Sequence, residues 1–220
     1  MRVLLVTASL LLGAGAMFAP PLFAQYTPGN LVVLRVGDGT TPLSSTATPI
    51  NLVEYSPSGG AAINTLPMPT AASGANARLT MSGSAGSEGA LNRSADGRYL
   101  VLVGYDAAVA TAGVASATGI NRVVGRVDAA RNINTTTILP QSGAYNTNNI
   151  RSAVSNDGTQ FWTAGTATTS TLGGVRYTTL GATDGAYSLV QHRPIPVLLV
   201  SILISYMFLP VRDRLRVYRR

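Results

Sequence analysis

The chain has no cysteine, no lysine and one histidine among its 220 residues, and only 11% of them are charged. Without cysteine there is no disulfide framework, thiolate nucleophile or Cys-ligated metal to consider. A lone histidine, His192, cannot build a histidine-based triad or a multi-histidine metal site. It lies at the end of the domain beside an apolar run and reads as an interfacial polar residue. Without lysine there is no Walker-type phosphate loop, and Gly83-Ser84-Ala85-Gly86-Ser87-Glu88-Gly89 does not follow the Gly-x-Gly-x-x-Gly spacing of dinucleotide sites. That stretch reads as an inter-strand loop. Helical periodicity is also missing between residues 25 and 190.

What is present is arginine, and its placement decides what it implies. The net charge is +7. Residues 1–24 contribute +1 through Arg2, and residues 191–220 contribute six Arg minus Asp213, or +5. Residues 25–190 hold nine Arg against eight acids, which leaves +1. A phosphate-binding surface shows as a basic patch within the folded domain. Here the excess charge sits on the ends, so nucleic acid is not an expected partner.

Residues 1–24 carry the order of a secretory signal. Arg2 starts it, Val3 to Met17 form the apolar stretch, and Leu22-Phe23-Ala24 offers a cleavage site before Gln25. A signal helix and an exported protein, periplasmic or cell-surface, are expected. From Gln25 onward, short β-rich runs alternate with Gly, Ser, Thr, Ala and Pro. The expected strands are 31–36, 50–55, 62–66, 78–81, 91–94, 98–104, 121–127, 135–139, 150–155, 160–165 and 174–180. Many short strands with frequent turn signals predict an all-β sandwich, barrel or propeller.

An internal repeat chooses among these. Ser94-Ala95-Asp96-Gly97, followed by Arg98 to Gly104, is echoed by Ser155-Asn156-Asp157-Gly158, followed by Thr159 to Gly165, at an offset of 61 residues. Asp-Gly between apolar runs is a hairpin signal, because Gly accepts φ > 0 and Asp bonds its own backbone across the turn. Asn30 to Val36 is likewise echoed by Asn121 to Val127, with Val175-Arg176-Tyr177 as a further copy. Four strands are expected between Leu91 and Leu139, the content of one propeller blade. Tyr99 to Val103 is apolar at every position, as expected of a strand covered on both faces. Ser94-Ala95-Asp96-Gly97-Arg98-Tyr99-Leu100 resembles the Ser-Pro-Asp-Gly-Arg-x-Leu blade signature of secreted bacterial β-propellers of the surface-layer and PD40 type, with Ala95 where Pro is usual. Ser155-Asn156-Asp157-Gly158 resembles it less closely. The resemblance implies blade geometry for Ser94, Asp96, Gly97, Ser155, Asp157 and Gly158 and no particular chemistry, since such propellers host binding modules, lactonases and uncharacterised surface proteins.

The fold expected is therefore an all-β partial propeller over residues 25–190, with two to three four-stranded blades and no closed ring. At 61 residues per blade those 166 residues make fewer than three units, whereas a closed ring needs about four to eight, so either the blades are far more unequal than the repeat suggests or the chain is a piece of a longer propeller. Beyond residue 190 the texture changes, and Ile195 to Leu209 is an apolar run followed by Arg212, Arg214, Arg216, Arg219 and Arg220. A membrane anchor, a cleaved sorting tail, an out-of-frame extension and a buried core helix all fit this tail. Membrane association of a helix over residues 195–209 is the favoured reading, because an apolar run capped by basic residues is a stop-transfer pattern.

No catalytic, cofactor or metal site is expected. Asp38, Glu54, Glu88, Asp96, Asp106, Asp128, Asp157 and Asp184 are dispersed and read mainly as turn caps, and no Asp-x-Asp-x-Asp-Gly calcium loop occurs. Arg93, Arg122, Arg126, Arg151 and Arg176 recur near strands, where pairing with Asp is the ordinary use. Asn92-Arg93-Ser94 and Asn134-Thr135-Thr136 fit the glycosylation sequon. Tyr99, Phe161, Trp162 and Tyr177 read as packing residues. The function expected is a non-catalytic binding or scaffold module with an unknown ligand or surface partner. The alternative is part of a propeller hydrolase of lactonase or glycosidase type.

Overall fold

A computed structural model describes residues 25–184 and the backbone of residues 187–188. The expected signal helix and the apolar segment 195–209 lie outside the described residues. Among the described residues no helix is long and apolar enough to cross a membrane. The described chain is all-β, in thirteen strands: β1 (Leu31–Val36), β2 (Ala47–Thr48), β3 (Ile50–Tyr55), β4 (Asn64–Pro67), β5 (Met81–Ser82), β6 (Asn92–Arg93), β7 (Tyr99–Tyr105), β8 (Arg122–Asp128), β9 (Ile133–Leu139), β10 (Ile150–Ser155), β11 (Gln160–Gly165), β12 (Gly174–Thr179) and β13 (Tyr187–Ser188). One 3₁₀ turn, Ser170–Leu172, precedes β12.

The strands form three larger open sheets and one small ladder. Sheet I has the order β1-β3-β4, sheet II β6-β7-β8-β9 and sheet III β10-β11-β12-β13, while β2 pairs with β5. Sheets II and III are antiparallel meanders, in which each strand hydrogen-bonds to the next in sequence. Short apolar runs separated by turn residues can only bury their faces this way, by folding back on a neighbour.

Two apolar cores lie on either side of sheet II. Leu102, Val123 and Val127 of sheet II pack with Ile50 and Leu52 of sheet I. Val101, Val103, Tyr105 and Val124 of sheet II pack with Ile150, Ala153 and Phe161 of sheet III. Successive strand residues point to opposite faces, so a strand apolar at every position must be sandwiched. β7 is buried continuously from Val101 to Tyr105, as the sequence implied. Each such Val or Leu contributes about 1.5–3 kcal/mol by leaving water.

The inner edge of sheet II departs from the expected strands. A run over 78–81 was expected, but Thr80 makes only an isolated bridge to Tyr105, and the β-strand that follows is the two-residue β5. The chain then leaves β7, passes through residues 83–91 and rejoins it as β6, opposite Leu100 and Val101. In sheet III the corresponding edge is nearly continuous: β10 pairs with β11 from Ile150 to Ser155, with one irregularity between Ile150 and Ser152. β2 and β13 are too short to leave a sequence pattern.

Candidate functional site

The two Asp-Gly motifs lie side by side at one end of the sheets. Ala95 N–H donates to the Ser155 carbonyl at 3.0 Å and Asp96 N–H to that of Asn156 at 2.9 Å. In the β6–β7 turn the Ser94 hydroxyl accepts from Tyr99 N–H at 3.0 Å and donates to Asp96 Oδ1 at 2.6 Å. Asp96 Oδ1 also accepts from Arg98 N–H at 3.1 Å. In the β10–β11 turn Asp157 Oδ1 accepts from Thr159 N–H at 2.9 Å, and Ser155 Oγ accepts from Gly158 N–H at 2.8 Å while donating to the Gln160 carbonyl at 2.6 Å. The Ser94 hydroxyl, and then Arg98, hold the Asp96 carboxyl down at about 2. These groups are committed to the turns that they shape.

Gly97 and Gly158 both have positive φ, +76° and +79°. A Cβ on Gly158 would meet Tyr99 Cδ2 at 2.5 Å, so the turn of sheet III rests on the Tyr99 ring of sheet II. Arg126 lies over the same ring at 4.5 Å and donates to the Gly158 carbonyl at 3.0 Å. Asn92, the first residue of one sequon, spends its amide on Ser152 Oγ at 2.9 Å and the Ala153 carbonyl at 2.8 Å, which joins sheets II and III. Asn134 of the other sequon accepts from Thr136 N–H at 3.1 Å.

The opposite end gathers the longer connections, and a polar cluster is buried there. Glu88, from the 83–91 excursion, accepts from the Tyr105 hydroxyl at the end of β7 and from Asn149 Nδ2 just before β10, at 2.5 Å for the latter. Its other oxygen accepts from Ser82 N–H at 3.3 Å. Arg122, fully buried at the start of β8, lies 5.2 Å from the Tyr105 ring centroid. Its guanidinium donates to the carbonyls of Ile120, of Ala115 at 2.8 Å and of Asn148 at 2.6 Å. Four separate chain segments, 82–88, Tyr105, 115–122 and 148–149, therefore meet through one carboxyl and one guanidinium.

Burial pushes the Glu88 carboxyl up from its ordinary value, against the pull of Tyr105, Asn149, Ser82 and the Arg122 charge. Burial and the neighbouring Glu88 likewise raise the Tyr105 phenol, and burial lowers Arg122. Two non-glycine residues of the adjoining 140–149 loop carry positive φ: buried Tyr145 at 51° and half-buried Thr147 at 45°. Tyr145 is anchored by its hydroxyl to Thr163 Oγ1 at 2.8 Å. Strain of this kind costs about 1–3 kcal/mol per residue and persists only where packing enforces it.

The remaining carboxylates are separate from this cluster. Asp38 caps its own loop through Thr40 N–H and Thr41 N–H, both at 2.8 Å, and Asp106 pairs with Arg78 at 2.7 Å. Glu54 is buried at the other end of sheet I. Burial opposes its ionisation, but Asn30, Thr27 and Asn64 donate to it and their sum leaves its carboxyl below the ordinary range. Among the described residues no three His, Cys, Asp or Glu side chains are grouped as metal ligands.

Sequence reasoning placed Glu88 in an ordinary loop and grouped it with nothing. The available signal was a single carboxylate in an otherwise uncharged Gly/Ser run. Its partners stand 17 and 61 residues away, a separation that no local pattern reveals. Arg122 was expected to pair with Asp and instead caps three backbone carbonyls. The chain matches no family model, no curated protein and no solved structure.

Proposed function

We propose that the chain is an exported, non-catalytic binding or scaffold module built as a propeller-type array of stacked sheets. Two four-stranded meanders joined through paired Asp-Gly turns support the propeller reading. Export and membrane tethering rest on residues 1–24 and 195–209 as sequence.

The observation that carries the non-catalytic reading is how the carboxyls at the loop end are used. Connections 37–49, 83–91, 106–121, 140–149 and 166–173 contain no basic residue and three acids, Asp38, Glu88 and Asp106. Asp38 is turned into its own loop, Asp106 is paired with Arg78, and both oxygens of Glu88 accept from protein donors. A glycosidase instead needs two carboxyls facing one bond, about 5–9.5 Å apart. Apart from the exposed Asp38, the surface left by these loops is uncharged, rich in Thr, Ser and Asn, and suited to a partner of uncharged hydrogen-bonding character.

The test is turnover of a panel of lactones and glycosides by the full chain, beside Glu88→Gln. No turnover is expected from either. A turnover that is present in the parent and lost in a folded Glu88→Gln protein would replace this reading with the hydrolase one.

A further inference from the structure

The residues that follow the expected signal are docked on the fold, and the docking begins one residue in. Tyr26 N–H donates to the Ala129 carbonyl in the β8–β9 turn at 3.0 Å, and the Arg131 guanidinium lies 5.8 Å from the centroid of its ring. Thr27 N–H and Asn30 Nδ2 donate to Glu54 Oε1 at 2.8 Å and 2.7 Å, and Gly29, at φ +90°, turns the chain between them. Glu54 is buried, and its other oxygen accepts from Asn64 Nδ2 at 3.1 Å. The segment from Tyr26 to Asn30 therefore provides two of the three residues that donate to a buried carboxyl. Gln25 stands just outside this hold. It is exposed, and its side chain hydrogen-bonds to nothing among the described residues.

The edge of the docked segment coincides with the bond at which the apolar stretch is expected to be removed. Cleavage between Ala24 and Gln25 leaves every docked residue in place and makes Gln25 the N-terminus. An N-terminal glutamine carries both partners of a ring closure. Its α-amine, with a pKa of about 8, is partly unprotonated near neutral pH, and its own side chain brings a carboxamide carbon within reach of that amine.

We infer that Gln25 is a modification site, which cyclises to pyroglutamate once residues 1–24 are removed; the inference rests on the export reading. The neutral amine nitrogen attacks the side-chain carboxamide carbon and a new C–N bond forms. The bond from that carbon to its amino group breaks, and ammonia leaves with the proton that the amine gives up. Nothing else is consumed. Closure moves only Gln25, so Tyr26 and Thr27 keep their bonds to Ala129 and Glu54. The chain then starts in a neutral lactam in place of a charged amine, and an aminopeptidase has no free amine to recognise. Trimming through Thr27 would otherwise take a donor from Glu54 and leave a buried carboxyl short of a partner.

The test is the full chain exported from a bacterial host, followed by stepwise degradation from its N-terminus and by mass, beside Gln25→Ala. The parent should be cut before Gln25. The fraction blocked to stepwise degradation should rise as the purified protein stands at neutral pH, and a pyroglutamyl peptidase should unblock it. Its tryptic peptide 25–35 should be lighter than its sequence by one ammonia. Gln25→Ala should be cut at the same bond, stay unblocked, and be trimmed by an aminopeptidase that leaves the parent intact. A parent that begins at Gln25 and keeps a free amine overturns the inference and leaves the export reading standing. So does a chain exported but cut at another bond. A chain that is neither exported nor cut overturns both.

Discussion

Replacing Gly158 by Ala tests whether the repeated turns hold sheets II and III together. Two costs add. Ala at φ +79° occupies a left-handed conformation that costs an L-residue about 1–2 kcal/mol. Its Cβ would also lie 2.5 Å and 2.7 Å from two Tyr99 ring carbons and 2.9 Å from Arg126 Cδ. Overpacking of that kind adds about 1–3 kcal/mol. Gly97→Ala is the internal control. It has nearly the same φ, +76°, but its Cβ would meet the Arg93 guanidinium at 2.8 Å, the far end of a flexible side chain that can swing into solvent. Gly97→Ala should therefore cost about 1–2 kcal/mol and Gly158→Ala about 2–5 kcal/mol, read as urea midpoints at constant slope. In a Tyr99→Leu background the flat ring is gone, and the cost of Gly158→Ala should fall toward that of Gly97→Ala. The coupling should be about 0.5–3 kcal/mol, the range for residues in direct contact. Equal costs for the two glycines, or strict additivity with Tyr99→Leu, would refute the packing of the second turn on the first sheet.

Two further outcomes follow from the buried polar cluster. Because the folded Glu88 carboxyl is raised above its unfolded value, its stabilising effect is complete below the unfolded pKa and is lost as pH rises through the folded one. Urea midpoints should fall as pH rises above the ordinary carboxylate range, and Glu88→Gln should flatten that fall; an unchanged slope would show that Glu88 is not the group responsible. Arg122→Met should cost about 3–5 kcal/mol, since a buried charge network loses its centre. Arg122→Lys should rescue little, because a point-like ammonium cannot span three carbonyls that a planar fork reaches; near-complete rescue would mean that charge alone matters there.

The β class and the repeat were legible because both are local. Turn chemistry is written in adjacent residues, and Asp96-Gly97 and Asp157-Gly158 each announce a hairpin without outside help. The unbroken apolar run of β7 likewise declared that both its faces are covered, since side chains alternate along a strand. Boundaries failed where pairing is decided from afar. Residues 78–81 have the composition of a strand, but the chain leaves β7 after Thr80 because β2 captures Met81 and Ser82. β6 then forms only where the chain returns.

The sequence by itself determined the all-β character, the turn pairs and the two-sided burial of β7, all consequences of short-range sterics and of the period of a strand. Only the tertiary structure decided which sheet covers which, that the two Asp-Gly turns touch, and that Glu88, Tyr105, Asn149 and Arg122 converge. Their convergence depends on contacts between residues up to 61 positions apart. Burial at that junction, and not the identity of any neighbour in sequence, turns an ordinary loop carboxylate into a raised one.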